Sequence, residues 1–216
     1  MNSAEGRPRR ICLTGGPGGG KTTAGDLLRR ELGKRVVFVP EAATVLFMGG
    51  FPRYTADACV KHQQKAIYCV QVNLEETQTA KFPGRMLLCD RGTLDGVVYW
   101  GAGGPEEWCA AMGTSIELEL ARYDAVIFFQ SAAALDGADG TMLEGGNPAR
   151  NETITEARRL DMELERVWRQ HPHFCIVRSK GSFFEKLTEA VRVCKEVVQE
   201  LEEGSLSPCK HQATKT

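Results

Sequence analysis

The chain has 216 residues, 42% of them hydrophobic, and a formal net charge of −1. This length is enough for one well-buried core, so we expect a single domain. The balanced charge gives no electrostatic reason to bind nucleic acid, and no such partner is predicted. No apolar run reaches the length of a membrane span, and residues 1–10 are polar without a secretory apolar core. We therefore expect a soluble, cytoplasmic protein with no transmembrane segment.

The hydrophobic pattern predicts one α/β domain over residues 10–203, between a disordered lead-in at 1–9 and a disordered tail at 204–216. Strands are predicted at 11–14, 36–39, 86–89, 125–129 and 174–177 from short apolar runs. Helices are predicted from about 22 to Gly33, at 42–48, at 56–81, around a loop at 101–105, over 157–168 and at 183–201. The 56–81 helix carries Val60, Ile67, Val70 and Leu74 on one side. Because strands alternate with helices, we expect a parallel sheet covered on both faces.

Residues 131–152 lack periodicity and contain several glycines. A structureless loop of this length inside a domain is usually a lid or a disordered segment. We interpret it as a lid over a site at the carboxyl edge of the sheet.

Residues 15–22, Gly-Gly-Pro-Gly-Gly-Gly-Lys-Thr, fit the phosphate-binding pattern G-x-x-x-x-G-K-[ST]. They follow a predicted strand and open a predicted helix. Glycines let backbone N–H groups turn toward phosphate oxygens, and the helix N-terminus adds partial positive charge. A Gly-rich turn that matches by chance is the alternative. The agreement of strand, loop and helix favours a nucleotide-phosphate site, here named the P-loop.

Each residue type in the P-loop has an expected role. Lys21 should reach the β- and γ-phosphates, and the Thr22 hydroxyl should ligate Mg²⁺. The residues predicted to hold ATP or GTP are Gly15, Gly16, Pro17, Gly18, Gly19, Gly20, Lys21, Thr22 and Thr23.

Asp90 ends the third predicted strand, and folds of this kind bind ligands at the carboxyl ends of parallel strands. We predict that it meets the same Mg²⁺, commonly through water. Capping of a helix that starts near Thr93 is the alternative. Arg91 would then point into the cleft and neutralise charge during transfer, or else serve as a buried partner for a carboxylate.

Glu41 follows the second predicted strand and lies on the same rim. Its carboxylate could accept a proton from an acceptor hydroxyl, or hold that hydroxyl in line for attack. Stabilising the N-terminus of the helix that starts at Ala42 is an equally supported alternative.

Arginines and glutamines complete the candidate set. Arg150, Arg158 and Arg159 flank the Gly-rich segment and the helix after it, and an arginine that closes over a transferred phosphate supplies needed charge. Because Arg158 and Arg159 are adjacent on a helix, we expect at most one to face the phosphates. Gln63 and Gln64 could bond a base or ribose, or be ordinary surface residues.

Two function classes remain open. The chain has no Asn-Lys-x-Asp or Asp-x-x-Gly element, which argues against a Ras-type GTPase. The pattern indicates a Mg²⁺-dependent phosphotransferase that acts on a small hydroxyl-bearing acceptor, such as a nucleoside. The competing class is a regulatory ATPase or GTPase that binds a protein or lipid partner. The same residues would hold nucleotide in both, and the oligomeric state is not predicted.

Several segments carry a family resemblance: residues 11–23, Pro-Glu-Ala-Ala at 40–43, Gly-Gly-Phe-Pro-Arg at 49–53, and the stretches 88–96 and 147–152. Together they resemble an AAA-type ATPase domain family that groups NadR-type ribosylnicotinamide kinases with the insect TRP-like-channel translocation-defect protein. The resemblance covers roughly residues 9–200. It implies a P-loop NTPase three-layer sandwich with a five-stranded parallel sheet, a mobile lid and ATP or GTP binding. Glu41 and Asp90-Arg91 are similar to the acidic residue and the Asp/Glu-Arg pair of deoxynucleoside and thymidylate kinases.

Overall fold

The computed structural model describes residues 8–132, 153–179 and 182–206. The strands are β1 (Arg10–Thr14), β2 (Val36–Val39), β3 (Met86–Asp90), β4 (Ala125–Phe129) and β5 (Phe174–Val177). The helices are α1 (Lys21–Leu32), α2 (Ala42–Met48), α3 (Asp57–Lys81), α4 (Asp95–Tyr99), α5 (Gly104–Met112), α6 (Ile116–Leu120), α7 (Ile154–Trp168) and α8 (Phe183–Glu203), with a 3₁₀ turn at Gly33–Arg35. Each predicted strand is present close to its expected bounds. Around the loop predicted at 101–105 the structure has three short helices, and α5 starts inside that loop at Gly104.

The five strands form one all-parallel sheet in the order β2-β3-β1-β4-β5. Cys12 in the central strand β1 pairs with Cys89 of β3 on one side and with Val126 of β4 on the other. This arrangement confirms the α/β fold with a five-stranded parallel sheet. Because all strands run the same way, the segments that follow β1, β3 and β4 meet at one edge of the sheet.

Alternating strand residues build two hydrophobic cores, one on each face of the sheet. Ile11 and Leu13 contribute to the core covered by α1 and α8, whereas Cys12 contributes to the core covered by α3, α4, α5 and α7. Strands buried on both faces are apolar throughout, which explains why short apolar runs located them. Within the described ranges, the helices are too short or too polar to cross a membrane.

Helix α3 differs from the expectation for an amphipathic helix. Its buried residues are polar, namely Gln63, Gln71 and Glu75. The apolar residues Val60, Ile67, Val70 and Leu74 are only half-buried. Glu75 accepts hydrogen bonds from Arg10 Nη1 at 3.2 Å, Arg122 Nη2 at 2.7 Å and the Tyr123 hydroxyl at 2.8 Å. A buried carboxylate needs such partners, and they come from β1 and the segment before β4, which helical periodicity does not report.

Candidate functional site

The P-loop connects β1 to α1 at the carboxyl edge of the sheet. Gly15, Gly18 and Gly20 have φ angles of +133°, +71° and +84°, which residues with a Cβ rarely adopt. A Cβ on Gly15 would lie 2.1 Å from the Phe129 carbonyl oxygen at the end of β4. The glycines therefore let the backbone turn in contact with the neighbouring strand and end at the N-terminus of α1, where anions bind favourably.

Lys21 begins α1 and lies against the P-loop. Its Nζ donates hydrogen bonds to the carbonyl oxygens of Gly15 and Gly16, each at 2.8 Å, and the residue is only 3% exposed. The ammonium group is thus fixed at the place where the loop and the helix N-terminus meet.

The Thr22 hydroxyl donates a hydrogen bond to Asp90 Oδ2 at 2.7 Å. Burial, together with the nearby charge of Glu41, raises the pKa of the Asp90 carboxyl, while Lys21 opposes this shift. Within residues 8–132, 153–179 and 182–206 no three His, Cys, Asp or Glu side chains form a group that could hold a metal ion. The hydroxyl and carboxylate oxygens fit Mg²⁺, which commonly takes one or two protein ligands and completes its shell with phosphate and water.

Arg91 follows β3 and joins two carboxylates. It has a φ of +75°, a left-handed conformation that is uncommon for a side-chain-bearing residue and is found at ligand sites. Its Nε donates to Glu41 Oε1, and its Nη1 donates to Asp95 Oδ2 at 2.6 Å. Arg91 therefore fits both roles considered from the sequence, because it lines the cleft and also partners the buried Asp95 and the half-buried Glu41.

Asp95, at the start of α4, holds Arg91 in place. Its Oδ1 accepts hydrogen bonds from the Thr14 hydroxyl and from Trp168 Nε1, both at 2.7 Å. Since its other oxygen binds Arg91, the carboxylate receives donors from β1, from α7 and from the end of β3. This buried junction sets the direction of the guanidinium group.

A cavity of about 580 Å³ opens beside the P-loop, and we name it the lateral cavity. Its walls come from α2, α3, α4, α7 and the segment at 53–55. The lining includes the charged residues Arg53, Glu41, Arg91, Asp95, Arg159 and Glu163, and the aromatic residues Phe47, Tyr54, Tyr68 and Tyr99. A pocket of this size with apolar walls and a few polar groups is typical of sites for small organic molecules.

A family model described as an AAA domain matches residues 10–186. The chain belongs to this AAA domain family. The matched segment runs from β1 into α8, so it includes the P-loop and every wall of the lateral cavity. Membership confirms the family resemblance and identifies the protein as a P-loop NTPase-type, nucleotide-binding domain. No curated protein matches the chain.

The two glutamines of this AAA domain have different surroundings. Gln63 is buried, and its Nε2 donates to the Tyr54 carbonyl oxygen at 2.9 Å, so it supports a wall of the lateral cavity. Gln64 is half-buried and lines that cavity. Both glutamines line the cavity, but the Gln63 amide nitrogen is already bound to the Tyr54 carbonyl oxygen.

The arginines near the predicted lid also differ. Arg159 lines the lateral cavity, and its Nη1 donates to Glu163 Oε1 at 2.8 Å. Arg158 lies three residues before Asp161, so the two share a face of α7. Arg150 and nearly all of the segment predicted as a lid lie outside the described residues.

Two carboxylates of the AAA domain were missed in the sequence analysis. Asp161 accepts hydrogen bonds from the backbone of Gly16 at 2.8 Å and Ser131 at 2.9 Å. It lies within the apolar stripe of α7, four residues after Ala157 and three before Leu164, and an acidic residue in a core-facing stripe is a signal that could have identified it. Asp95 has no comparable signal, because acidic residues are common at helix starts.

Proposed function

We propose that this AAA domain is a Mg²⁺-dependent phosphotransferase that moves the terminal phosphoryl group of ATP or GTP to a hydroxyl of a small acceptor, such as a nucleoside. The lateral cavity is the observation that carries the proposal. It has a volume of about 580 Å³, and its lining includes Glu41 and Arg91 together with Pro17 of the P-loop. A regulatory nucleotide switch has no need of a second small-molecule pocket at this position.

The P-loop would hold the triphosphate. Backbone N–H groups of the loop and the N-terminus of α1 provide donors, and Lys21 provides a positive charge. Thr22 and Asp90 would hold Mg²⁺, which when bound neutralises phosphate charge and orients the triphosphate for in-line transfer.

Glu41 would act on the acceptor hydroxyl. Its Oε2 accepts a hydrogen bond from the Thr44 hydroxyl at 2.5 Å and its Oε1 is bound by Arg91, so the carboxylate has a defined orientation at the cavity wall. In transfer, the acceptor oxygen bonds to the γ-phosphorus and its proton passes to Glu41. The bond from the γ-phosphorus to the bridging oxygen breaks, and the nucleoside diphosphate leaves.

Arg91 would neutralise charge as the phosphoryl group moves. Its Nη1 lies 3.4 Å from the Gly15 carbonyl oxygen, so the guanidinium group lies between the P-loop and Glu41. Fixed cationic groups at this position stabilise the charge of a transferring phosphoryl group without reorganising. Arg150 is proposed for the same role.

The remaining walls suit a nucleoside. Tyrosine rings provide flat apolar surfaces with a hydroxyl at one end, and the Gln64 amide provides both a donor and an acceptor. Such a combination can hold a base by stacking and select it by hydrogen bonds.

The test is to incubate the purified protein with Mg-ATP or Mg-GTP and a panel of nucleosides that includes ribosylnicotinamide, and to detect phosphorylated acceptor by mass spectrometry. Transfer to one compound, absent with the Lys21→Ala variant, is the expected result. Nucleotide binding with only slow, acceptor-independent hydrolysis would reject the phosphotransferase and favour the regulatory class.

A further inference from the structure

Asp161 joins the P-loop to two other parts of the fold. The residue is 2% exposed. Its Oδ1 accepts hydrogen bonds from the Gly16 N–H at 2.8 Å and from the Ser131 N–H at 2.9 Å. A Cβ on Gly16 would lie 2.5 Å from that same oxygen. The P-loop backbone therefore packs directly on the carboxylate, and α7, the end of β4 and the P-loop meet at this atom.

The surroundings of Asp161 are polar and well connected. The Ser131 hydroxyl donates to the Pro17 carbonyl oxygen at 2.5 Å. The buried Lys186 ammonium group donates to the Gln130 carbonyl oxygen. Burial raises the pKa of the Asp161 carboxyl, and the two backbone hydrogen bonds and the charges of Lys21 and Lys186 oppose this shift. Hydrogen bonds and nearby positive charges thus offset the cost of burying this carboxylate, and the hydrogen bonds fix its orientation.

The hydrogen bond to Gly16 has a direct consequence for Lys21. The Gly16 N–H and the Gly15 carbonyl belong to the same planar peptide unit, in which they point in opposite directions. Asp161 binds the N–H at 2.8 Å, and Lys21 Nζ binds the carbonyl oxygen at 2.8 Å. One rigid plane therefore separates the buried carboxylate from the lysine expected to contact phosphate, and rotating this plane would move the oxygen that holds the ammonium group.

We propose that Asp161 is a positioning residue for triphosphate binding, which orients the Gly15–Gly16 peptide unit and through it Lys21. This inference rests on the triphosphate binding of the proposed function and is independent of the acceptor. The Asp161 Oδ1 contacts backbone N–H groups of Gly16 and Ser131, so the residue acts through the shape of the P-loop.

The experiment compares the dissociation constants of Mg-ATP and Mg-GTP for wild type and three variants by isothermal titration calorimetry. Asp161→Ala should weaken binding by about tenfold or more, as expected when a hydrogen bond to a charged group is lost. Asp161→Asn should remain within about threefold of wild type, because its amide oxygen still accepts. Leu164→Ala is the matched control, since Leu164 is 0% exposed on the same helix and packs in the core. It should lower thermal stability and leave the dissociation constants unchanged.

Wild-type affinity in folded Asp161→Ala would overturn the inference. So would equal weakening by Leu164→Ala, which would assign the effect to helix packing alone. If Asp161→Ala does not fold, amide hydrogen exchange decides: the Gly16 amide should be protected in wild type, and fast exchange there would overturn the hydrogen bond. A failed acceptor panel with normal nucleotide affinity would reject the phosphotransferase and leave this inference standing.

Discussion

The P-loop and the lateral cavity share one edge of the sheet but are built in opposite ways. The P-loop takes its donors from the backbone of consecutive residues, with glycines at positive φ. The lateral cavity takes side chains from four helices that are separated along the chain. The groups proposed to contact phosphate therefore come from one short stretch of sequence, whereas those proposed to contact an acceptor come from distant helices that pack together.

The largest effect is expected from a substitution in the P-loop itself. Lys21→Ala removes an ammonium group that lies 2.8 Å from two loop carbonyl oxygens, and we expect nucleotide affinity and turnover to fall by roughly 100-fold or more. Calorimetry and a turnover assay would measure both, with the exposed Lys34→Ala as control. Survival of both properties would make the P-loop assignment wrong.

The second substitution separates the two regions. Glu41→Gln keeps the shape of the side chain but removes its basicity, so phosphoryl transfer should fall by about 100-fold while triphosphate affinity stays near wild type. Glu163→Gln, at another carboxylate of the lateral cavity, is the matched control and should retain transfer. If Glu41→Gln transfers normally, Glu41 serves only the N-terminus of α2.

A smaller effect is expected at the support of Arg91. Asp95→Asn replaces the oxygen that binds Arg91 Nη1 at 2.6 Å with an amide that repels it, while the other oxygen still accepts from Thr14 and Trp168. We expect acceptor KM to rise about tenfold with nucleotide affinity unchanged. Steady-state kinetics with each substrate varied would measure this. A loss of nucleotide affinity instead would place Asp95 with the P-loop.

The smallest expected effect is on the pH dependence of stability, and it arises from the buried residue Lys186. Burial lowers the pKa of Lys186 from 10.5 to about 8, partly offset by Asp161. Below about pH 8 Lys186 is charged in the native protein, and the cost of burying this charge lowers the free energy of unfolding by its full amount. Between about pH 8 and 10.5 the unfolded chain keeps a proton that the native protein has lost, so stability rises with pH.

This pH dependence should be absent in Lys186→Met. From about pH 7.5 to 9.5, the free energy of unfolding of wild type should gain at most about 2 kcal/mol relative to the variant. Urea unfolding at both pH values measures the gain. A constant difference between the two proteins would show that the lysine ammonium is not desolvated behind the P-loop.

Much of the fold could be predicted from the sequence, because strands buried on both faces are short apolar runs and α1 and α7 have apolar stripes. The strand order β2-β3-β1-β4-β5 could not, since it depends on which neighbours each crossover passes. The polar core of α3 also escaped prediction. Glu75 is buried because Arg10 and Arg122 meet it in three dimensions, and spacing along one helix carries no information about such partners.

The candidate site also has a part that could be predicted from the sequence and a part that could not. The P-loop and the rim residues Glu41, Asp90 and Arg91 could be proposed from strand ends and spacing, and the structure brings Glu41 to Arg91 and Thr22 to Asp90. The lateral cavity had no sequence signal, because its walls exist only after four helices pack. Arg150 stays a prediction, since it lies outside the described residues.

Helix α7 faces both regions, with Asp161 on the P-loop and Arg159, Leu160 and Glu163 on the lateral cavity. Any small rotation of this helix changes both surfaces at once. In the proposed phosphotransferase, nucleotide and acceptor should therefore bind with a coupling free energy, and reciprocity requires each to change the affinity of the other by the same factor. The dissociation constant of the nucleotide should therefore shift when an acceptor is bound, so the two ligands would not bind independently of each other.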